Sequence, residues 1–134
     1  MRIEPYLFFP GSTKKAMEFY KELFGGELQI TLRGDMDPSA PDAEKNQVIN
    51  ALLSSEHITF RASDRGDTNS DPQTRIELTI NGSDDVSLRE VFNSLADGGA
   101  VDTALEKQFW GDIWGKVTDK FGITWQVNIE ASKE

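Results

Sequence analysis

The chain has 134 residues, 37% of them hydrophobic, with three tryptophans, two tyrosines and eight phenylalanines; this is the size of one domain and enough apolar surface to fold it. The absence of cysteine excludes disulfides, thiol nucleophiles and thiolate metal sites. A net charge of −9, from 23 acidic against 14 basic residues, repels a phosphate backbone, and the basic residues are scattered rather than striped, so no nucleic-acid partner is expected. No stretch nears the roughly 18 apolar residues that span a bilayer. The opening Met1-Arg2-Ile3-Glu4 lacks a signal-peptide pattern, so the expectation is a cytoplasmic protein with no membrane partner.

Ile3 to Phe9 is an apolar, aromatic-rich run ending at Pro10-Gly11, which predicts a strand and a turn. Ser12 offers a helix N-cap. Ala16, Phe19, Tyr20, Leu23 and Phe24 recur at helical spacing up to Gly25-Gly26, so residues 13–24 are predicted as an amphipathic helix. Residues 27–33 alternate weakly as an exposed strand does, and 35–45 is a polar, proline-marked loop. Gln47 to Leu53 and His57 to Ser63 then read as a hairpin across Ser54-Ser55-Glu56. The stretch 65–73 has no apolar member and marks a linker between a first module, 1–64, and a second, 74–130.

The second module repeats the order of the first. Arg75 to Ile80 is predicted as a strand and Asn81-Gly82-Ser83 as a turn and cap. Leu88, Val91, Phe92 and Leu95 form the inner stripe of a helix ending at Gly98-Gly99. Gly82-Ser83 answers Gly11-Ser12, Phe92 answers Phe19, and Ile123-Thr124-Trp125 answers Ile58-Thr59-Phe60. An internal duplication of a strand–helix–three-strand unit follows, an α+β fold of two βαβββ modules in one domain.

Three segments carry a resemblance to a known family: Pro5-Tyr6-Leu7-Phe8-Phe9, Ala16-Met17-Glu18-Phe19-Tyr20 through Gly25-Gly26, and Phe109-Trp110-Gly111 through Trp114-Gly115-Lys116 to Thr124-Trp125. With them the chain resembles, over nearly its whole length, the PhnB-like branch of the glyoxalase/bleomycin-resistance (vicinal oxygen chelate) superfamily. The resemblance implies paired sheets forming a cup-shaped cavity and often a homodimer. In metal-using members it implies histidine or carboxylate ligands from the first and last strands of each module. The matching positions fall at Pro5, Gln126 and, within about two residues, Arg61 and Arg75; none is a usual ligand. A histidine carried on the third strand by many relatives is matched here by Asn50.

One histidine and no cysteine cannot supply the nitrogen or sulfur ligands of an ordinary zinc or iron site, so neither a metal nor a cofactor is expected. His57, opening a strand after a turn, reads as an exposed structural residue. A carboxylate-only Mg²⁺ site would require Glu4, Glu77 and Asp112 to converge. Asp67-Thr68-Asn69-Ser70-Asp71 begins like a calcium loop but meets Pro72 where glycine is needed and Leu78 where the bidentate glutamate belongs. There is no nucleophile elbow, and both glycine pairs follow helices, whereas phosphate cradles precede them. Some relatives have been labelled methyltransferases, yet no cofactor-binding glycine loop is present.

The predicted site is a polar groove. On the fifth strand Arg75, Glu77 and Thr79 share one face, opposite Ile76, Leu78 and Ile80. By the family analogy that face is shared with Gln126 and Asn128, while Trp125 and Val127 point the other way. Arginine and amides suit a carboxylate or phosphonate, because a guanidinium offers forked donors; the alternative is that Arg75 merely pairs with Glu77. Trp110 and Trp114, set among glycines, read as a pocket rim or as core. The expected ligand-contacting residues are thus Arg75, Glu77, Trp110, Trp114, Gln126 and Asn50. They imply metal-independent binding of a small molecule, with catalysis left open. Two alternatives stand beside this one: a divalent-metal lyase, isomerase or dioxygenase with carboxylate ligands, and a dimeric module whose sheet edge serves assembly.

Overall fold

Alternating apolar residues on the strands and a buried stripe on one helix build each half of the molecule. The computed structural model describes residues 4–65 and 76–131, and the chain divides into two units, Met1–Pro72 and Gln73–Glu134. No helix of the described residues is long and apolar enough to cross a membrane.

The first unit runs β1 (Tyr6–Phe9), α1 (Thr13–Phe24), β2 (Glu27–Leu32), a one-turn helix α2 (Arg33–Met36), a 3₁₀ turn (Asp42–Glu44), β3 (Val48–Ser54) and β4 (Thr59–Asp64). The sheet order is β1-β4-β3-β2, with β1 parallel to β4 and the other pairs antiparallel. The second unit repeats it: β5 (Leu78–Gly82), α3 (Asp85–Ala96), β6 (Ala100–Lys107), β7 (Ile113–Thr118) and β8 (Thr124–Ile129). Its order is β5-β8-β7-β6, again with the first and last strands parallel. The fold is the expected α+β pair of βαβββ modules.

In each unit one sheet face carries the core. Ala16, Met17 and Tyr20 of α1 are fully buried, as are Phe9, Ala51, Leu53, Phe60 and Ala62 of the strands. The Tyr20 and Phe60 rings meet edge to face, 5.6 Å apart. Leu88, Phe92 and Leu95 of α3 are buried in the second unit along with Val117, Trp125, Val127 and Ile129. Burying each such large side chain stabilises the fold by about 1.5–3 kcal/mol before chain entropy is counted.

Several local details differ from the sequence reading. Ser12 occupies the N-cap position of α1 without a side-chain cap bond. Asp64, at the end of β4, takes over by accepting from Thr13 N at 3.2 Å and Val48 N at 2.9 Å, so the carboxylate ties the helix start to two strands. The loop predicted over 35–45 holds the 3₁₀ turn Asp42–Glu44 and the end of α2, which starts at Arg33, the last residue of the predicted strand. Residues 66–75 of the predicted linker and strand lie outside the described residues. From Leu78 the strand runs on through Asn81 and Gly82, which pair in register with Asn128 and Ile129. Asn81 can continue the strand because its side chain meets Glu130 and Asn128 at 2.7 and 2.8 Å. The α3 N-cap is therefore Asp84, whose side chain accepts from Ser87 N.

The duplication is closer in structure than in sequence. Gly25 and Gly98 adopt φ of 75° and 77°, and the glycine after each lies against the turn at the end of the next strand but one. A Cβ would fall 2.2 Å from Ser54 O at Gly26 and 2.3 Å from Thr118 O at Gly99. The β3–β4 turn is closed by Ser55, which accepts from His57 N and Ile58 N. The β7–β8 turn is closed by Asp119 on Phe121 N and Ile123 N. Asp97 stands between α3 and its glycine pair, where α1 passes directly to Gly25. That extra residue explains a misread equivalence: the buried ring matching Phe92, eighth in its helix, is Tyr20, while Phe19 is only partly buried.

Candidate functional site: the open sheet faces

Opposite the helix, each sheet presents a second face, and the alternation of the strands decides what it carries. In the second unit the register sets Thr79 beside Gln126, Gln126 beside Lys116, and Asn128 between Asn81 and Trp114. A chain of bonds crosses this face. The Trp114 indole N–H donates to Gln126 Oε1 at 3.1 Å, and Gln126 Nε2 donates to Glu77 Oε1 at 2.9 Å. Lys116 Nζ lies 2.7 Å from Glu77 Oε2. The Lys116 hydrogen bond, and after it that from Gln126, hold the Glu77 carboxyl below the ordinary carboxylate range, against the opposing effect of its partial desolvation. Asn128 Nδ2 reaches both Asn81 Oδ1 at 2.8 Å and Asp112 Oδ2 at 3.1 Å, and Asp112 also accepts from Ala131 N.

This arrangement brings together Glu77, Trp114 and Gln126 of the predicted set. Trp110 joins them through its ring, 6.4 Å from that of Trp114, and is half exposed; Phe109, packed edge-on to it, is almost wholly exposed. Arg75 lies outside the described residues, and the cation that meets Glu77 is Lys116, which the sequence reading passed over. Its signal was present in the alternation Trp114, Lys116, Thr118 along β7. An open depression of about 800 Å³ in this unit is bordered by Ser83, Asp85, Lys107 and Glu130. None of the predicted site residues lines it, and two acids oppose one lysine there, so the bonded network is the better guide to function.

Asn50 belongs to the first unit, on the open face of β3 and partly buried. On the same face Tyr6 stands in register with Arg61 and Phe8 with Ser63. Arg61 Nε lies 2.9 Å from Glu4 Oε2. Glu4 and Glu77 thus hold the same place, each two residues before an open-face residue of the first strand, and each bonds a side chain of its module's last strand, Arg61 or Gln126.

These residues also decide how a metal would fare at the expected positions. Pro5 has no side-chain donor; its carbonyl accepts from Arg61 N. Arg61 is a cation bonded to a carboxylate, the Gln126 amide is bonded at both ends, and Glu77 carries an ammonium and an amide. Among the described residues no three of His, Asp and Glu are grouped to hold a metal ion. That donor set does not fit a divalent ion.

A family model described as 3-demethylubiquinone-9 3-methyltransferase matches residues 1–128. The chain belongs to this family. It is a PhnB-like member of the glyoxalase/bleomycin-resistance superfamily. Protein YjdN of Escherichia coli K12 is 28% identical to it over 140 residues, covering 96% of this chain and 95% of that one. The crystal structure of PA1353 from Pseudomonas aeruginosa matches with a TM-score of 0.84 at 30% identity, covering 98% of this chain and 99% of that one. A PhnB protein from Bacillus cereus matches at 0.81 and 25%, covering 97% and 100%. At the level of fold alone, a glyoxalase/bleomycin resistance protein/dioxygenase family enzyme from Burkholderia phytofirmans matches at 0.61 and 12%, covering 94% and 95%.

The family description names methyl transfer, which would require a methyl donor. The glycine pairs of this PhnB-like chain do not fit a cradle for one. Both follow helices, and the second glycine of each is closed off by the chain's own turn, where a Cβ would meet Ser54 O or Thr118 O.

Proposed function

We propose that this PhnB-like protein binds a small organic molecule on its open sheet faces without a metal ion. The observation that carries this reading is the Lys116–Glu77–Gln126–Trp114 chain. It commits to internal bonds the carboxylate a metal would need, and it holds an indole edge and an amide in fixed orientation beside the half-exposed Trp110. Fixed polar groups next to aromatic surface are what small-molecule sites generally offer. Two structures that share the fold are a bleomycin resistance determinant and the fosfomycin resistance protein FosX; this supports the class of function, not the ligand. Association into a homodimer, which the family resemblance implies, is measured directly by sedimentation.

The test uses full-length protein treated with chelator, screened by thermal shift and tryptophan fluorescence against small carboxylates, phosphonates, amides and sugars. A stabilised protein with quenched fluorescence in EDTA is expected, with the quenching reduced in Trp114→Phe. Binding that appears only on adding Mg²⁺ would sink the metal-free reading and favour carboxylate ligation instead.

A further inference from the structure

The two open faces differ in how far their polar groups are already spoken for. In the second unit Glu77, Lys116, Gln126, Asn128 and Asn81 all bond one another or their neighbours. In the first unit Arg61 is held only at Nε, by Glu4, and its two terminal amino groups have no partner among the described residues. Its side chain is 39% exposed. The Asn50 amide and the Tyr6 hydroxyl, on the same face, likewise have no hydrogen-bond partner among the described residues.

Beside this guanidinium lies an aromatic shelf. Tyr6 and Phe8 stack with centroids 4.9 Å apart and planes 24° from parallel, and both remain about two-fifths exposed. Arg65 places its guanidinium 4.5 Å over the Phe8 ring. Large rings stacked outward on a sheet face are an unusual use of apolar surface unless something covers them.

We infer that the open face of the first unit recognises an aromatic acid, its acidic group on Arg61 and its ring against Tyr6 and Phe8. The bond that Nε–H donates to Glu4 orients the guanidinium, so the terminal N–H groups present a forked pair matching two anionic oxygens; an ammonium would not give this geometry. Those groups are donors only, which disfavours a neutral amide, and two guanidiniums on one face disfavour a cation. The Tyr6–Phe8 stack supplies the preference for a planar body over a plain acid such as acetate. This assignment rests on the reading that the open faces bind small molecules without metal, and it names the ligand class and the residue that selects it.

Calorimetric titration of the full chain in EDTA with benzoate, phenylphosphonate, benzamide and acetate tests it. At least one of the two aromatic acids is expected to bind about tenfold or more tightly than benzamide and acetate. Arg61→Met is expected to lose that margin while Arg89→Met, which removes an exposed guanidinium paired with Asp85 on α3, keeps it. The contrast between acid and amide is read on the unaltered protein, so it stands even if Arg61→Met folds poorly. Equal binding of benzamide, or an undiminished margin in a folded Arg61→Met, overturns the Arg61 assignment but leaves metal-free binding intact. Failure of both acids overturns it as well; if the wider chelated screen is also blank, the general reading falls with it.

Discussion

Trp125 donates its indole N–H to the buried carboxylate of Asp119 at 2.9 Å, across the turn that joins β7 to β8. Asp119 is 3% exposed and accepts two further bonds, from Phe121 N and Ile123 N. One side chain therefore closes the turn and orients the largest ring of the second core. Asp119→Ala leaves three donors without that acceptor and is expected to cost about 2–4 kcal/mol in urea unfolding. Asp119→Asn, which keeps one acceptor oxygen, should cost less than half as much. Equal losses for the two would show that the carboxylate's bonds are not what matters there.

Gly99 and Gly111 separate two reasons for glycine. At Gly99 a Cβ would meet Thr118 O at 2.3 Å, whereas at Gly111 nothing lies within 4 Å and the constraint is a φ of 101°. Gly99→Ala must push two backbone segments apart and should destabilise by about 2 kcal/mol or more, by analogy with overpacked cores. Gly111→Ala carries mainly left-handed strain, about 1–2 kcal/mol. The ranking is checked by denaturant midpoints, and a reversed order would contradict the close approach at Gly99.

Thr13 offers a gain. Its side chain is fully buried and the Oγ1 hydroxyl has no hydrogen-bond partner among the described residues, while its backbone N–H is satisfied by Asp64. Thr13→Val removes a desolvated hydroxyl without touching that backbone bond. It should be neutral or stabilising by up to about 1 kcal/mol in thermal or urea unfolding. A clear loss of stability would mean that the hydroxyl is satisfied in solution.

Glu77 predicts a pH dependence whose sign is fixed by its lowered pKa. A carboxyl held below its ordinary value of 4.5 adds stability above that pH and loses it as pH falls through the lower folded value. The stability difference between the unaltered protein and Glu77→Gln should therefore be constant near neutrality and shrink below pH 4.5. A difference that instead grew on acidification would mean that Glu77 is destabilised in the fold. High salt should reduce it too, since the Lys116 pair is partly exposed.

Much of the fold was legible because its signals are local. The helix over 13–24, the glycine pairs and the alternation that puts Thr79, Gln126 and Asn128 on one face needed only periodicity and turn chemistry. What escaped was set by partners distant in sequence. Ser12 looked like the cap of α1, but Asp64, 51 positions away from Thr13, does the capping. Asn81-Gly82 looked like a turn until β8 supplied amide partners. Within the site, Glu77, Trp114 and Gln126 were readable as a cluster, whereas Lys116 was hidden by attention to Arg75. The open terminal donors of Arg61 could not be read from sequence at all, since a free guanidinium differs from a spent one only in what surrounds it.

Strand β6 lies at the margin of the second sheet, and seven of its eight residues are exposed. Its pairing with β7 is broken twice, between Val101 and Thr103 and between Thr103 and Glu106. With so little buried behind it, β6 should trade its amide hydrogens for deuterium well before the central strands β7 and β8 do. The outward row of N–H and C=O groups is broken up by these irregularities, and the strand itself carries Asp102, Glu106 and Lys107, features that blunt indiscriminate pairing with foreign strands.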